Sequence, residues 1–447
     1  MSTEINPILT LTIEKLVYGG CGLTHHEGKA IFIKNVAPGD LVEARIKYKK
    51  KGVRWAELIR IVEPNAQYHI KAKCQHALEC GGCSYQHLSH SSQIKIKEEI
   101  LKEIYKNEIE LEASIVSPVE HNYRNKCEFT FGNNLVGELE LGLHPEGKFF
   151  EVLDLQECYL LPKPVWDILV EAKKLAQASG LNAYRDLKDE GFWATLTIRY
   201  SSSSGDCLLV WKVKDPSEPK LKEISQQLQN KFSYIKGSLA RPTPRGSLQL
   251  IAGRDTLAQA IGNVDFVYGA DNFFQINTAV LPLFMEQVTK LVKSTNPDIV
   301  YDLFGGVGAI GIYIAKNIPN LQKVIGAEAD ELACTMAEFN AELNSVANYE
   351  SNFLNLFKSG WGKFLKTKGA NATVIVDPPR AGLTSKTIKE IIEINPQNII
   401  YVSCNPSTQK RDIEEFQTAG FKLKSLQLVD MFPQTMHLEA IAVLSVE

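Results

Sequence analysis

Two groups of residues in this chain have types and spacings suited to chemistry. The first lies in the carboxyl-terminal third, where short apolar runs end in reactive side chains: Val374-Ile-Val-Asp377-Pro378-Pro379-Arg380, Tyr401-Val-Ser-Cys404-Asn405-Pro406 and Met436-His437-Leu-Glu439-Ala. A cysteine at a strand's carboxyl end can attack as a thiolate, and a neighbouring carboxylate can remove a proton from the adduct. The second group is Cys74-x5-Cys80-Gly-Gly-Cys83, three thiols on one short loop with glycines that permit tight turns. Thiolates at that density bind soft metals or iron–sulfur clusters. The local sequence supplies no fourth thiol, so zinc with His76 or His87 as fourth ligand stands beside an iron–sulfur cluster.

A third feature supplies a cofactor loop. Asp302-Leu-Phe304-Gly305-Gly306-Val-Gly308 follows an apolar strand, Ile299–Leu303, and precedes a helical stretch over 310–316. Glycines there let the backbone approach a ligand at the carboxyl edge of a sheet. The next strand, Lys323–Glu328, ends in a carboxylate placed to accept hydrogen bonds from ribose hydroxyls. The loop lacks full GxGxxG spacing and begins with Asp302, which fits S-adenosylmethionine better than a dinucleotide. Asp377-Pro-Pro is a relative of the Asn-Pro-Pro loop of amino-methyltransferases. With a methyl donor at this edge, Cys404 gains a purpose. A pyrimidine C5 is too weak a nucleophile to attack a sulfonium methyl until a thiolate adds at C6. A base, for which Glu439 is the candidate, must then remove the C5 proton so that the thiolate can leave.

These groups need scaffolds. From about residue 280, helical segments alternate with apolar strands at 299–303, 323–328, 372–377, 398–403 and 440–444, which predicts a doubly wound, mostly parallel sheet. Residues 8–63 read as four or five short strands separated by Gly19-Gly20, Gly28, Pro38-Gly39-Asp40 and Lys51-Gly52, a small barrel of the oligonucleotide-binding type. Within it, the stretch from Arg45 to Trp55 carries six cations and two aromatics in eleven residues, including Lys49, Lys50 and Arg54. Alone it reads as a solvated hairpin tip; in an RNA-binding protein it would track phosphates. Residues 91–107 form an amphipathic helix, with apolar positions at 94, 96, 100, 101 and 104. Residues 113–270 mix strands at 126–131, 193–200 and 208–213 with a helix around 164–178, an α+β unit.

Taken together, the motifs resemble the bacterial RNA uracil-5-methyltransferases that carry an N-terminal TRAM domain and an iron–sulfur cluster, over nearly the whole chain and in the family's order. Phe273-Phe-Gln275-Ile-Asn277 resembles the segment that opens the catalytic half, with Gln275 at the methionine end of the cofactor. The resemblance puts Phe304, Gly305, Gly308, Glu328 and, with looser flanks, Asn352 at the cofactor, and Asp377 between cofactor and base. It makes Cys404 the nucleophile and Glu439 the general base, with Arg380 toward the RNA. The chain departs at Ala309, where the family often has a polar residue; one cofactor hydrogen bond is at stake. For the thiol loop the resemblance implies a [4Fe–4S] cluster on Cys74, Cys80 and Cys83, with the distant Cys158 as fourth ligand.

The implied organisation is an N-terminal TRAM barrel over 1–65 and a central α+β domain with the iron–sulfur loop over 66–90 and 113–270. A Rossmann-like methyltransferase domain over 91–112 and 271–447 completes it. The implied substrate is 23S ribosomal RNA, with transfer RNA as the alternative. A cytosine-5 RNA methyltransferase or a noncatalytic RNA-binding protein would share parts of the pattern. Neither explains Gln275, Asp377, Cys404 and Glu439 in four separate segments.

Composition sets outer bounds. The 447 residues predict two or three domains. Nine cysteines without a secretion signal argue against a disulfide framework. The net charge of −3 leaves RNA binding to local patches. No run approaches the roughly 20 apolar residues of a membrane span, and the expectation is a cytoplasmic monomer.

Overall fold

The structure is a computed structural model that describes residues 7–367 and 369–446. The chain begins with β1 (Ile8–Thr12), β2 (Lys15–Val17), β3 (Cys21–His26), β4 (Lys29–Ile33), β5 (Leu41–Lys50) and β6 (Val53–Glu63). They form one sheet in the order β1-β5-β6-β4-β3-β2, antiparallel except for the β4–β6 pair. Alternation drives it: Leu11, Ile31, Ile33, Val42 and Ala44 turn inward and are buried. The sheet thus contains six strands, with β2 and β3 set around the Gly19-Gly20 turn.

After the thiol loop come α1 (His90–Ile104) and β7 (Leu111–Ile115). Ser89 caps α1 by accepting from the Ser92 amide. The helix ends at the last apolar position of its pattern, Ile104, short of the predicted 107, and Lys106 and Asn107 both take the left-handed conformation. Both elements lie on the catalytic sheet, far from their chain neighbours. Strand β7 pairs with its far edge, and the buried Lys97 of α1 donates to Asp430 at 2.9 Å and to the Phe432 carbonyl at 3.0 Å.

The central unit comprises β8 (Lys126–Asn133), β9 (Leu139–Gly142), α2 (Lys163–Ala178), β10 (Trp193–Tyr200), β11 (Cys207–Val213), α3 (Pro219–Lys231), β12 (Ile235–Pro242) and β13 (Gln249–Gly253). Its sheet runs β13-β12-β11-β10-β8-β9. Phe131, Trp193 and Trp211 fill its core. The hairpin β14 (Thr256–Ile261) and β15 (Val264–Gly269) follows. It bridges the two units, sharing a core with Leu208 and Leu239 of the central sheet and with Phe284 and Val288 of the catalytic half.

The catalytic half continues with α4 (Leu281–Thr295), β16 (Ile299–Leu303), α5 (Ala309–Asn317), β17 (Lys323–Glu328), α6 (Glu331–Leu343), β18 (Tyr349–Phe353) and α7 (Trp361–Leu365). It ends with β19 (Ala372–Val376), α8 (Ser385–Ile394), β20 (Asn398–Ser403), α9 (Pro406–Thr418), β21 (Phe421–Val429) and β22 (Glu439–Val446). The eight-stranded sheet runs β18-β17-β16-β19-β20-β22-β21-β7. The five strands β18 to β20 are parallel, and β22 inserts antiparallel between β20 and β21. The inner parallel strands β16, β19 and β20 read as mostly apolar runs because helices cover both faces. Among the described residues no helix is long and apolar enough to cross a membrane.

Candidate active site

Register brings the nucleophile and the acid together. In the antiparallel pair β20–β22, Ser403 faces Ala440, so the next residues outward, Cys404 and Glu439, share the sheet edge. Strand β19 lies on the other side of β20, with Val376 opposite Tyr401, and its continuation delivers Asp377 to the same edge. Asn405 then caps α9, accepting from the Ser407 amide, with Pro406 at the first helical position. Cys404 is thereby held between a strand end and a helix start. Gln275 reaches in from the segment before α4 and donates to Asp377 at 3.2 Å.

The electrostatics of this edge are those of acids crowded out of water. Burial and the nearby Asp302 push Asp377 up to about 7. Glu439 is buried and held well above the usual carboxylate range by desolvation and by Asp377, with Arg380 pulling the other way. One of its oxygens, Oε1, is buried without a hydrogen-bond partner among the described residues. An unpaired buried carboxyl oxygen is costly in a fold that has no use for it. The Cys404 thiol is pushed up to about 11 by burial, Glu439 and Asp377, while the Arg380 guanidinium facing it draws it down. Arg380 thus touches the nucleophile as well as the outside. Burial, and secondly Cys404 beside it, raises the hydroxyl of Tyr18, a residue of the turn between β2 and β3.

The cofactor loop sits two strands away on the same edge. Phe304, Gly306 and Gly308 all have positive φ, at 63°, 54° and 81°. A Cβ at Gly308 would meet Ile312 at 2.6 Å, so that position must be glycine. Asp302 is buried and pushed up to about 7, and accepts from the Gly311 amide at 2.9 Å, which pins the start of α5. Glu328 accepts from the Gly306 amide at 3.1 Å with one oxygen and from the Ala329 and Asp330 amides with the other. Asn352, opposite Ala327, gives its amide to Glu350 and to the Gly326 carbonyl. Phe304 and Phe357 face each other at 5.6 Å beside this loop. Gln275, Phe304, Gly305, Gly308, Glu328 and Asp377 therefore follow one sheet edge.

The four predicted thiols, Cys74, Cys80, Cys83 and Cys158, line one small cavity together with Gln86, Leu155 and Leu160. Gln86 donates to the Cys83 sulfur at 3.2 Å, and the Gly82 amide to the Cys80 sulfur at 3.4 Å. Among the described residues no group of three or more His, Cys, Asp or Glu is close enough to hold a single metal ion. The histidines that a zinc site would need are engaged elsewhere: His76 accepts from the Gln156 amide, and His87 is bonded to the Val36 carbonyl.

The basic run of the N-terminal sheet is split by its hairpin. Lys49 and Lys50 are exposed near the β5–β6 turn, where Tyr48 stacks on Trp55 at 6.1 Å. Arg54 departs from the expected exposed cation: its side chain is only 11% exposed and turns toward Glu27 at 3.8 Å.

The fold and this edge define a class, the methyltransferases with a Rossmann-like sheet and a glycine-turn cofactor loop. Residues 245–446 match the family model for tRNA (uracil-5-)-methyltransferases. An RNA methyltransferase of Caldanaerobacter subterraneus subsp. tengcongensis is 31% identical over 450 residues, with 98% of each chain covered. One of Clostridium tetani is 30% identical, with 96% of each covered. A crystal structure of the Pyrococcus abyssi tRNA (uracil-54, C5)-methyltransferase with S-adenosyl-L-homocysteine superposes with a TM-score of 0.77. It is 26% identical and covers 99% of this chain and 100% of its own. The chain belongs to the RNA uracil-5-methyltransferase family and is an RNA methyltransferase.

Proposed function

We propose that the protein methylates C5 of a uridine in RNA, with Cys404 as nucleophile and Glu439 as the base that frees the product. The observation that carries this reading is the convergence of Cys404, Asp377 and the unpartnered Oε1 of Glu439 at one sheet edge beside the cofactor loop. S-adenosylmethionine, when bound, supplies an electrophilic methyl. Gln275, Phe304, the 305–308 turn and Glu328 would hold it, with the glycines of the turn giving the backbone its close approach.

In this reading the thiol first gives its proton to solvent, and Arg380 steadies the sulfur's charge. The Cys404 sulfur bonds to C6 of the ring, and the C5–C6 electron pair moves to C5. C5 attacks the sulfonium methyl, whose bond to the donor sulfur breaks to leave a neutral thioether. The Glu439 carboxylate removes the C5 proton, the double bond re-forms, and the C6–S bond breaks to return the thiolate. The target base must leave its stack to reach Cys404, which favours a loop or a remodelled stem.

Large-subunit ribosomal RNA is the first substrate we propose, from the resemblance carried by the thiol loop and the N-terminal sheet. Transfer RNA is the second, favoured by the full-length likeness to the P. abyssi tRNA enzyme. Mass spectrometry of ribosomal and transfer RNA from cells with and without the gene tests both. Loss of one 5-methyluridine identifies the substrate; no loss in either pool refutes the reading.

The thiol cavity is where the iron–sulfur cluster implied by the resemblance would sit. Four cysteines line it, the number of ligands a [4Fe–4S] cluster takes. Cys74, Cys80, Cys83 and Cys158 would hold the cluster. Its role would be to tie the thiol loop to the segment carrying Cys158. Anaerobically purified protein should contain about four iron and four sulfide per chain, lost in Cys80→Ser. One zinc per chain and no sulfide would refute the assignment.

A further inference from the structure

The N-terminal sheet does more than approach the catalytic half; its β2–β3 turn enters the site. Tyr18 donates its hydroxyl to Asn405 Oδ1 at 3.0 Å, across 387 residues of sequence. Asn405 is the neighbour of Cys404. The same oxygen accepts from the Ser407 amide at 3.2 Å, and the amide nitrogen donates to the Arg380 carbonyl at 2.9 Å. One side chain thus joins the nucleophile loop, the Asp-Pro-Pro-Arg loop and the N-terminal sheet. With both lone pairs of Oδ1 engaged, its orientation is fixed.

The turn is shaped for this contact. Gly19 and Gly20 both have positive φ, at 97° and 79°. A Cβ on Gly20 would lie 2.9 Å from Met436 Cβ, so the turn lies directly on the segment that leads to Glu439. The sheet is tied down beside it by Lys15, which pairs with Glu103 of α1 at 2.5 Å. Tyr18 remains 42% exposed, while its hydroxyl is committed to Asn405.

We propose that Tyr18 is a positioning residue for the methyl transfer: it sets the nucleophile loop through Asn405 and closes the base pocket from the N-terminal sheet. Removing the sheet's turn therefore removes a wall of the catalytic site and not only a surface for RNA. The inference rests on the uridine reading above.

The test uses full-length protein and transcripts of large-subunit ribosomal RNA and of tRNA made with 5-fluorouridine. Cys404 adds at C6 and C5 is methylated, but C5 then carries fluorine in place of the proton, so the adduct persists. Its rate of formation is followed on denaturing gels at saturating RNA. Tyr18→Phe, which keeps the ring, should slow adduct formation about three- to tenfold, the worth of one hydrogen bond. RNA affinity, measured by filter binding with unsubstituted transcript, should stay within about twofold of wild type by the same reasoning, since the lost bond is internal to the protein. Tyr18→Ala should be slower still, and Tyr18→Phe covers the case in which the alanine variant misfolds. A Tyr18→Phe rate equal to wild type, or a defect that vanishes at saturating RNA, would overturn the inference alone. Absence of any adduct with the wild-type protein on both transcripts would overturn the uridine reading and this inference with it.

Discussion

Replacing Glu439 by glutamine separates the two halves of the proposed reaction, and the structure gives each half its own sign. Glutamine keeps the shape and removes the charge. Glu439 is one of the groups that push the Cys404 thiol up to about 11, so its loss lets the thiolate form more readily. Adduct formation should therefore be as fast as in wild type or faster. Release should suffer, because no carboxylate remains to take the C5 proton. General bases contribute about 10²- to 10⁴-fold, and that is the expected slowing of turnover. The wild-type acid is held well above the usual range by burial and by Asp377. It becomes a base only as it ionises, so wild-type release should quicken as pH rises through its raised pKa, and the variant should lose that dependence. The assay is single turnover with unsubstituted RNA and labelled methyl donor, scored for denaturation-resistant protein–RNA bands. Multiple turnover at the wild-type rate with no band would falsify the base role. Loss of the adduct itself would mean that Glu439 acts before methyl transfer.

Cys404→Ala should abolish methylation while leaving cofactor binding, measured by calorimetry, within about twofold, since none of the residues placed at the cofactor depends on the thiol and changes away from a contact cost little. Arg380→Met should raise the thiol further, leave less thiolate at neutral pH and slow adduct formation by about tenfold, which corresponds to roughly 1.4 kcal/mol of lost charge stabilisation. The gap should close as pH climbs toward the thiol's own pKa; a uniform defect at every pH would instead place Arg380 on the RNA alone. Lys97→Ala should destabilise the catalytic half by about 3–5 kcal/mol, because it takes from the buried Asp430 carboxylate the ammonium that pairs with it among the described residues. Urea unfolding checks this, and a change below about 1 kcal/mol, typical of an exposed pair, would refute the buried pairing.

Elements with strong periodicity were legible, and their ends were less so. The parallel strands β16, β17, β19 and β20 announce themselves as apolar runs because both faces are covered. Cys404, Asp377 and Glu328 follow from that, since each sits where such a run stops. The short strands β2 and β3 carry no such signal: their pattern is broken by Gly19, Gly20 and Gly22. The β14–β15 hairpin alternates like any half-buried pair, and nothing in its own residues says which core it faces. The answer lies in Asn340 and Asn344 of α6, whose amides bond its backbone. Arg54 reads as a surface cation until the fold sets Glu27 beside it. The Arg380–Cys404 approach depends on the turn in which the Pro379 carbonyl accepts from the Gly382 amide, and is invisible to spacing.

What local sequence cannot carry is which remote segments share a wall, and here that wall does the chemistry. Cys404 needs a neighbour that can accept a proton and a neighbour that can hold a charge. A lone strand end in water would supply neither, because exposed acids ionise freely and keep their ordinary pKa. The fold instead buries Asp302 and Glu439 along one edge with the half-buried Asp377 between them, so that each raises the next. That arrangement is unfavourable for stability and useful for proton transfer, since groups that titrate above the usual carboxylate range can both hold and release a proton under ordinary conditions. The strain is carried by contacts from outside the sheet: Gln275 on Asp377, Asn405 between two loops, and Tyr18 on Asn405. Each comes from a different part of the chain. The site is therefore assembled only when the N-terminal sheet, the segment before α4 and the last two strands are all in place.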